Sequence, residues 1–306
     1  MKYVGLQTQI WRNNTLSTIL LILFPFVLFG LTWSFIYFVI KPDFDRIEET
    51  NQYFLFAFPW VTMGVLVWFL IAYFIHSSMI HKATGSRNLE RIENKRVYNL
   101  VENLCISVGM KTPKINLIED DSLNAFASGV DDNSYTISLS RGIINKLNDE
   151  ELETVIGHEL THIRNKDVRL LIVSIVFVGI FAFLTEMLFR SLRYGGKGKK
   201  DGRIIIIGLA LAAVGYLISI LFRFAISRKR EYMADAGASQ LTKNPHALAS
   251  ALKKISEDAC IEAVTRYDVA QLFIENPRGT KKSFSLSGIF STHPPIESRI
   301  KILEQF

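Results

Sequence analysis

The segment NDEELETVIGHELTHIR occupies residues 148–164 and is predicted to form a single helix. It opens on Asn148, followed three residues later by Glu151, which is an Asn-led variant of the capping box that starts helices. On a helix, His158 and His162 share one face, with their Cβ atoms about 5–6 Å apart. Two imidazoles at this spacing can bind one tetrahedral zinc ion.

Glu159 stands beside the first of these histidines, where its carboxylate can reach a water at the metal and act as a general base. The alternative is a surface helix with two solvated histidines. Because the chain has only 6 histidines, a chance His-Glu-x-x-His pattern is on the order of a one-percent event. The pattern therefore favours a catalytic zinc site.

A catalytic zinc ion usually has three protein ligands, so the predicted site needs one more. Glu231 is the best candidate and lies in the segment REYMAD, residues 230–235, just after the last long apolar block. Asp235 falls on the same helical face one turn later, where it can accept a hydrogen bond from the free ring nitrogen of a liganding histidine. The alternative is a solvated Glu–Asp face beside basic residues.

Long apolar blocks interrupt the chain, in which hydrophobic residues make up 49%. A membrane-spanning helix needs about 20 apolar residues. The blocks predict a four-segment transmembrane bundle and lie at residues 15–40, 54–75, 168–189 and 204–226. We predict four parts in chain order. Residues 1–80 form an N-terminal transmembrane hairpin, and residues 81–167 form the first part of the catalytic domain. Residues 168–226 form a second transmembrane or membrane-inserted hairpin, and residues 227–306 form the second part of the catalytic domain.

The charges that flank these blocks predict the orientation of the chain in a bilayer. Lys and Arg follow the second and fourth blocks, whereas the link at residues 41–53 has more acid than base. Positive flanks stay in the cytoplasm, so we predict a multi-pass protein of the inner (cytoplasmic) membrane with a cytoplasmic active site. The basic link at residues 190–203 conflicts with a full crossing. The second hairpin therefore either crosses against the rule or dips into the bilayer without crossing it.

The stretch between the two hairpins has a different pattern. Residues 88–108 have apolar side chains at helical spacing, and residues 114–119 and 135–140 alternate as strands do. The chain as a whole is therefore predicted to be mainly α with a small β-sheet.

Two other classes of function are disfavoured by composition. The net charge of +6 does not predict a nucleic-acid partner, because the Lys and Arg residues cluster beside apolar blocks. Cys105 and Cys260 are far apart and in no paired motif, which argues against a disulfide framework or a cysteine-based zinc site.

Four short segments, in this order, resemble HtpX-type membrane zinc metallopeptidases, a group related to the CAAX prenyl proteases. The segments are Asn124-Ala125-Phe126-Ala127, His158-Glu159-Leu160-Thr161-His162, Glu231-Tyr232-Met233-Ala234-Asp235 and Thr292-His293-Pro294-Pro295. The resemblance covers nearly the whole chain and implies an α+β zincin-type catalytic domain on a helical membrane bundle, with one Zn²⁺ per chain. It also implies substrates that are membrane or misfolded proteins, and a role in membrane protein quality control under stress.

The resemblance assigns roles to two further places in the chain. Residues Asn124, Ala125, Phe126 and Ala127 would lie along the edge strand that pairs with an extended substrate. His293 would line the cleft and stabilise the oxyanion, although a histidine before two prolines is by itself more typical of a rigid turn.

The sequence leaves two alternative functions. A non-catalytic membrane scaffold with a structural zinc would need a closed set of four ligands, and Glu159 argues against it. A prenyl-protein processing peptidase would use the same chemistry but would need an enclosed chamber for a lipidated tail. The sequence does not determine the oligomeric state.

Overall fold

The computed structural model describes residues 6–40, 45–194, 202–224, 229–257 and 294–305. The chain divides into two compact units. Unit 1 comprises Met1–Asn14, His76–Ile172 and Ile226–Phe306. Unit 2 comprises Thr15–Ile75 and Val173–Ala225 and contains most of the long apolar helices.

The described elements confirm a mainly helical chain with a small sheet. In chain order they are α1 (Leu6–Val39), α2 (Arg46–Thr84), β1 (Ser86–Asn88), α3 (Lys95–Val108), β2 (Lys114–Ile118), β3 (Ala125–Ser128), β4 (Thr136–Ser140), α4 (Arg141–Lys146), α5 (Asp149–Arg164), α6 (Asp167–Tyr194), α7 (Gly202–Phe224), α8 (Lys229–Thr242), α9 (Pro245–Glu257) and α10 (Ile296–Leu303).

The sheet of unit 1 has the strand order β1-β2-β4-β3 among the described residues. The two central strands, β2 and β4, run parallel, while β1 and β3 pair antiparallel at the edges. β4 is buried at every position, so the centre of the sheet belongs to the core. β3 has no strand on its outer side in the part of the chain that the structure describes.

The helix predicted over residues 88–108 begins later than expected. Residues Ser86–Asn88 form β1 instead, and α3 begins at Lys95. The reason is local, because the Asn94 side chain accepts a hydrogen bond from the Val97 backbone N–H at 3.0 Å and so caps the helix there.

α5 begins at the predicted capping box. The Glu151 backbone N–H donates to Asn148 Oδ1 at 2.8 Å, and the Asn148 N–H donates to Glu151 Oε2 at 3.0 Å. Glu151 also accepts hydrogen bonds from Ser250 and Lys254 of α9, both at 2.7 Å. These contacts hold the first turn of α5 against α9.

The long helices of unit 2 are apolar and expose large hydrophobic side chains. Among the described residues, two segments are long and apolar enough to cross a membrane, Leu21–Val39 and Arg46–Ile71, and Ile204–Ile218 is a shorter apolar helix. Large side chains on these helices are exposed, including Leu55 at 71% and Phe56 at 75%. Apolar surface on this scale is unfavourable in water and favourable in lipid.

Candidate active site

All three predicted metal ligands lie close together between α5 and α8. The Nε2 atoms of His158 and His162 lie 3.1 Å apart. Glu231 of α8 places Oε2 3.6 Å from His158 Nε2 and Oε1 3.6 Å from His162 Nε2. One ligand atom from each residue lies within 4.8 Å of the others. Two imidazoles and a carboxylate are the donor set of a catalytic zinc site.

The other ring nitrogen of each histidine is engaged by a carboxylate. His158 Nδ1 lies 3.0 Å from Asp235 Oδ1, and His162 Nδ1 lies 2.9 Å from Asp167 Oδ2. A proton on each Nδ1 is thereby stabilised, which leaves each Nε2 lone pair for a metal. Asp235 was predicted to accept a hydrogen bond from a liganding histidine. Asp167, which the sequence did not suggest, makes the corresponding contact with the other histidine.

An arginine lies close to each of these aspartates. Arg299 of α10 is 1% exposed and donates to both oxygens of Asp235, from Nε at 2.9 Å and from an NH group at 2.7 Å. Arg230 donates to the backbone carbonyl of Asp167 at 3.3 Å, with 4.0 Å to its Oδ1. Sequence reasoning missed both arginines, because no local spacing relates them to the histidines.

The surroundings of His158 favour a positive charge. Burial alone would lower the pKa of His158, but hydrogen bonds to Asp235 and Glu231 outweigh it and raise this pKa to about 9. Burial likewise opposes ionisation of Asp235, but Arg299 and His158 hold its pKa below the ordinary value. The field that attracts a proton to His158 in the metal-free chain also attracts a divalent cation, so the residues present fit a metal.

Glu159 is buried beside the histidines and contacts the edge strand. Burial raises the pKa of its carboxyl, while a hydrogen bond from the Ala127 backbone N–H lowers it. A buried carboxylate whose pKa is raised toward the working pH is suited to accept a proton and return it.

The outer side of β3 carries backbone groups next to this carboxylate. The Asn124 carbonyl accepts from the Ser140 N–H at 3.0 Å, so Asn124 faces β4, and Phe126 pairs with Ser138 in register. Because backbone direction alternates along a strand, Ala125 and Ala127 face away from β4. The Ala125 backbone N–H donates a hydrogen bond to Asn124 Oδ1 at 3.0 Å.

The structure thus brings together the predicted residues Asn124–Ala127, His158, Glu159, His162, Glu231 and Asp235 in unit 1. His293, the candidate for oxyanion stabilisation, lies outside the described residues.

Comparisons with known proteins show which family the chain resembles. The model of peptidase family M48 matches residues 91–306. A "Protease HtpX homolog" of Bacteroides fragilis strain YCH46 is 61% identical over the full length of both chains. Another of Dictyoglomus thermophilum is 42% identical, over 78% of this chain and 81% of its own. Among solved structures, S. mikatae Ste24p aligns with 96% of this chain and 66% of that chain, at 21% identity and a TM-score of 0.45.

Proposed function

Because this chain belongs to peptidase family M48 and is a membrane metallopeptidase of the HtpX type, we propose that it is a zinc-dependent endopeptidase. The observation that carries the proposal is the convergence of His158, His162 and Glu231, with ligand atoms within 4.8 Å of one another. The carboxylates on both Nδ1 atoms support it, because they orient the two imidazoles toward a common point.

In the proposed mechanism, bound zinc would lower the pKa of a coordinated water toward 7 and polarise the scissile carbonyl. Glu159 takes a proton from the attacking water and delivers it to the leaving amine. The outer side of β3 binds the substrate backbone as an added strand, through the carbonyls of Ala125 and Ala127. We assign His293 to the oxyanion on the basis of the family resemblance.

We further propose that the substrates are membrane or misfolded proteins, cleaved at the cytoplasmic face of the inner membrane as part of quality control. The basic residues that flank the apolar helices support this orientation. The apolar helices of unit 2 keep the enzyme in the bilayer, which limits its substrates to chains that reach it there.

The proposal is tested with the full chain, purified in detergent with zinc and given casein as an unfolded substrate. Glu159→Gln removes the proton acceptor and is expected to lower kcat by about 10²–10⁴-fold, with zinc still bound. Glu153→Gln, on the same helix and outside the site, serves as the control and should cleave at the original rate. If Glu159→Gln cleaves casein as fast as the unaltered chain, the mechanism is wrong.

A further inference from the structure

In the proposed metal site each histidine contacts an aspartate, and an arginine donates to each of these aspartates. His158 contacts Asp235, which Arg299 binds. His162 contacts Asp167, and Arg230 donates to the Asp167 carbonyl. Asp235 and Arg299 lie on α8 and on the C-terminal helix α10, whereas Asp167 and Arg230 lie in the first turns of α6 and α8.

Asp167 reaches His162 only because the helix breaks between them. α5 ends at Arg164 and α6 begins at Asp167. Between them Lys166 has a φ of 61°, a left-handed conformation that is unfavourable for a residue with a side chain. Residues five apart on an unbroken helix do not face each other. The left-handed turn therefore brings the carboxylate back toward the preceding helix.

The surrounding residues hold this turn in place. The Asn165 and Lys166 backbone N–H groups donate to the carbonyls of Thr161 and Ile163, at 2.9 and 3.0 Å. The Lys166 ammonium lies 5.2 Å from the centre of the Tyr135 ring. Its contact with Asp132 Oδ1, at 3.5 Å, is to an exposed carboxylate, and such a pair contributes only about 0–1 kcal/mol. A strained backbone persists where neighbours determine it, and such strain clusters at functional sites.

Arg230 connects the same turn to the third metal ligand. It directly precedes Glu231 on α8, and its side chain is 13% exposed. Its bond to the Asp167 carbonyl joins the first turn of α6 to the first turn of α8. The three helices that carry His162, Asp167 and Glu231 therefore meet at this point.

We propose that Asp167 is a positioning residue that orients His162 for zinc, and that the left-handed turn at Lys166 is a built part of the metal site. This inference rests on the proposed zinc-dependent function. The competing explanation is that Asp167 serves only the start of α6, where acidic and hydroxyl side chains stabilise a helix N-terminus.

The test uses the full chain in detergent, stripped of metal, with zinc affinity measured by competition against a chromophoric chelator. Asp167→Ala is expected to weaken zinc binding by about 10–100-fold. Asp167→Asn keeps an acceptor of the same length and should recover most of the affinity. Asp167→Ser still favours a helix N-terminus but is too short to reach His162, so it should bind zinc as weakly as Asp167→Ala.

The absorption spectrum of the Co²⁺-loaded chain gives a second readout, because it reports ligand geometry. It should change in Asp167→Ala and Asp167→Ser and stay close to the original in Asp167→Asn. Asp132→Ala removes an exposed carboxylate that contacts the same turn, and it should change neither the spectrum nor the zinc affinity. Glu231→Ala, which lacks a proposed ligand, shows how much affinity a lost ligand costs.

The outcomes separate the two proposals. If the unaltered chain and Glu231→Ala bind zinc equally poorly, the zinc-dependent function fails. If the unaltered chain binds zinc tightly and Asp167→Ser matches it in affinity and in Co²⁺ spectrum, Asp167 serves only the helix and the inference is overturned. Thermal unfolding of each metal-free variant shows that the comparison is made between folded proteins.

Discussion

The guanidinium of Arg299 donates to both carboxylate oxygens of Asp235 and lies 3.5 Å from Glu231 Oε2. Its positive charge therefore helps two carboxylates to stay buried beside His158 in the metal-free chain. A planar guanidinium suits this role, because it can give two parallel hydrogen bonds to one carboxylate.

We expect Arg299→Met to lower the free energy of unfolding by about 3–5 kcal/mol, because it leaves buried carboxylates without their counter-charge. Arg299→Lys keeps the charge but loses the two-pronged geometry, so it should retain part of the stability and bind zinc more weakly. Urea unfolding and zinc titration of the detergent-solubilised chain measure the two effects.

The matched control for this prediction is Arg141→Met. Arg141 is also paired with a carboxylate, Asp121, but its side chain is 44% exposed. An exposed pair contributes about 0–1 kcal/mol, so this variant should unfold nearly as the unaltered chain does. If Arg299→Met and Arg141→Met lowered the free energy of unfolding equally, burial would not be what makes the Arg299 ion pair important.

At the scale of elements, the site depends on how closely α5 and α8 approach. A Cβ atom added at Gly237 of α8 would lie 2.4 Å from Thr161 Cγ2 and 2.9 Å from Thr161 Oγ1. The Thr161 hydroxyl donates to the Gly157 carbonyl at 2.7 Å, so the side chain has little freedom to move away. The bare backbone at Gly237 therefore allows α8 to bring Glu231 to the histidines.

Gly237→Ala should push α8 away from α5. We expect a loss of about 1–3 kcal/mol in the free energy of unfolding, as for other overpacked cores. Zinc affinity should fall with it, because Glu231 moves with α8. Thermal unfolding of the metal-free chain and chelator competition check both parts of the prediction.

Gly157→Ala is the comparison within the same helix pair. An added Cβ there would meet Thr242 Cγ2 at 3.3 Å, which a small shift relieves. Alanine also favours a helix over glycine by about 1 kcal/mol. Gly157→Ala should therefore leave the free energy of unfolding nearly unchanged. A loss of unfolding free energy as large as that of Gly237→Ala would show that glycine matters here for another reason.

Short-range sequence patterns predicted most of the helices and strands. The capping box at Asn148 placed the start of α5, and alternating side chains placed β2 and β4 within one residue of their observed ends. β1 was missed because it is a strand of 3 residues, too short to show alternation. Its place in the sheet comes from pairing with β2, which is a contact between distant parts of the chain.

At the scale of the whole molecule, the proposed orientation rests on the apolar helices and on the charges that flank them. The described spans Leu21–Val39 and Arg46–Ile71 carry large exposed apolar side chains. The short link between α1 and α2 includes Asp45, which is exposed, and Asp132 is an exposed residue of unit 1. The proposed topology places these two aspartates on opposite faces of the membrane.

The topology is checked by single cysteines in a chain in which Cys105 and Cys260 are replaced by serine. A membrane-impermeant thiol reagent should label Asp45→Cys in spheroplasts with intact inner membranes and Asp132→Cys only in inverted vesicles. Labelling of both positions from the same side would refute the proposed orientation. Retained casein cleavage verifies that each variant is folded.

The sequence by itself determined the features that depend on local spacing and on composition. These are the helix with His158, Glu159 and His162, the apolar blocks, and the pairing of Glu231 with Asp235 one turn apart. A helix repeats every few residues and a bilayer needs a long apolar run, so both leave a pattern that a single chain displays.

Only the tertiary structure showed what surrounds these residues. Asp167 reaches His162 through a left-handed turn at Lys166, and Arg299 arrives from the C-terminal helix. Such contacts depend on backbone breaks and on packing between distant segments, neither of which has a period in the sequence. For this reason the proposed ligands and Asp235 could be predicted from the chain alone, whereas Asp167 and the two arginines could not.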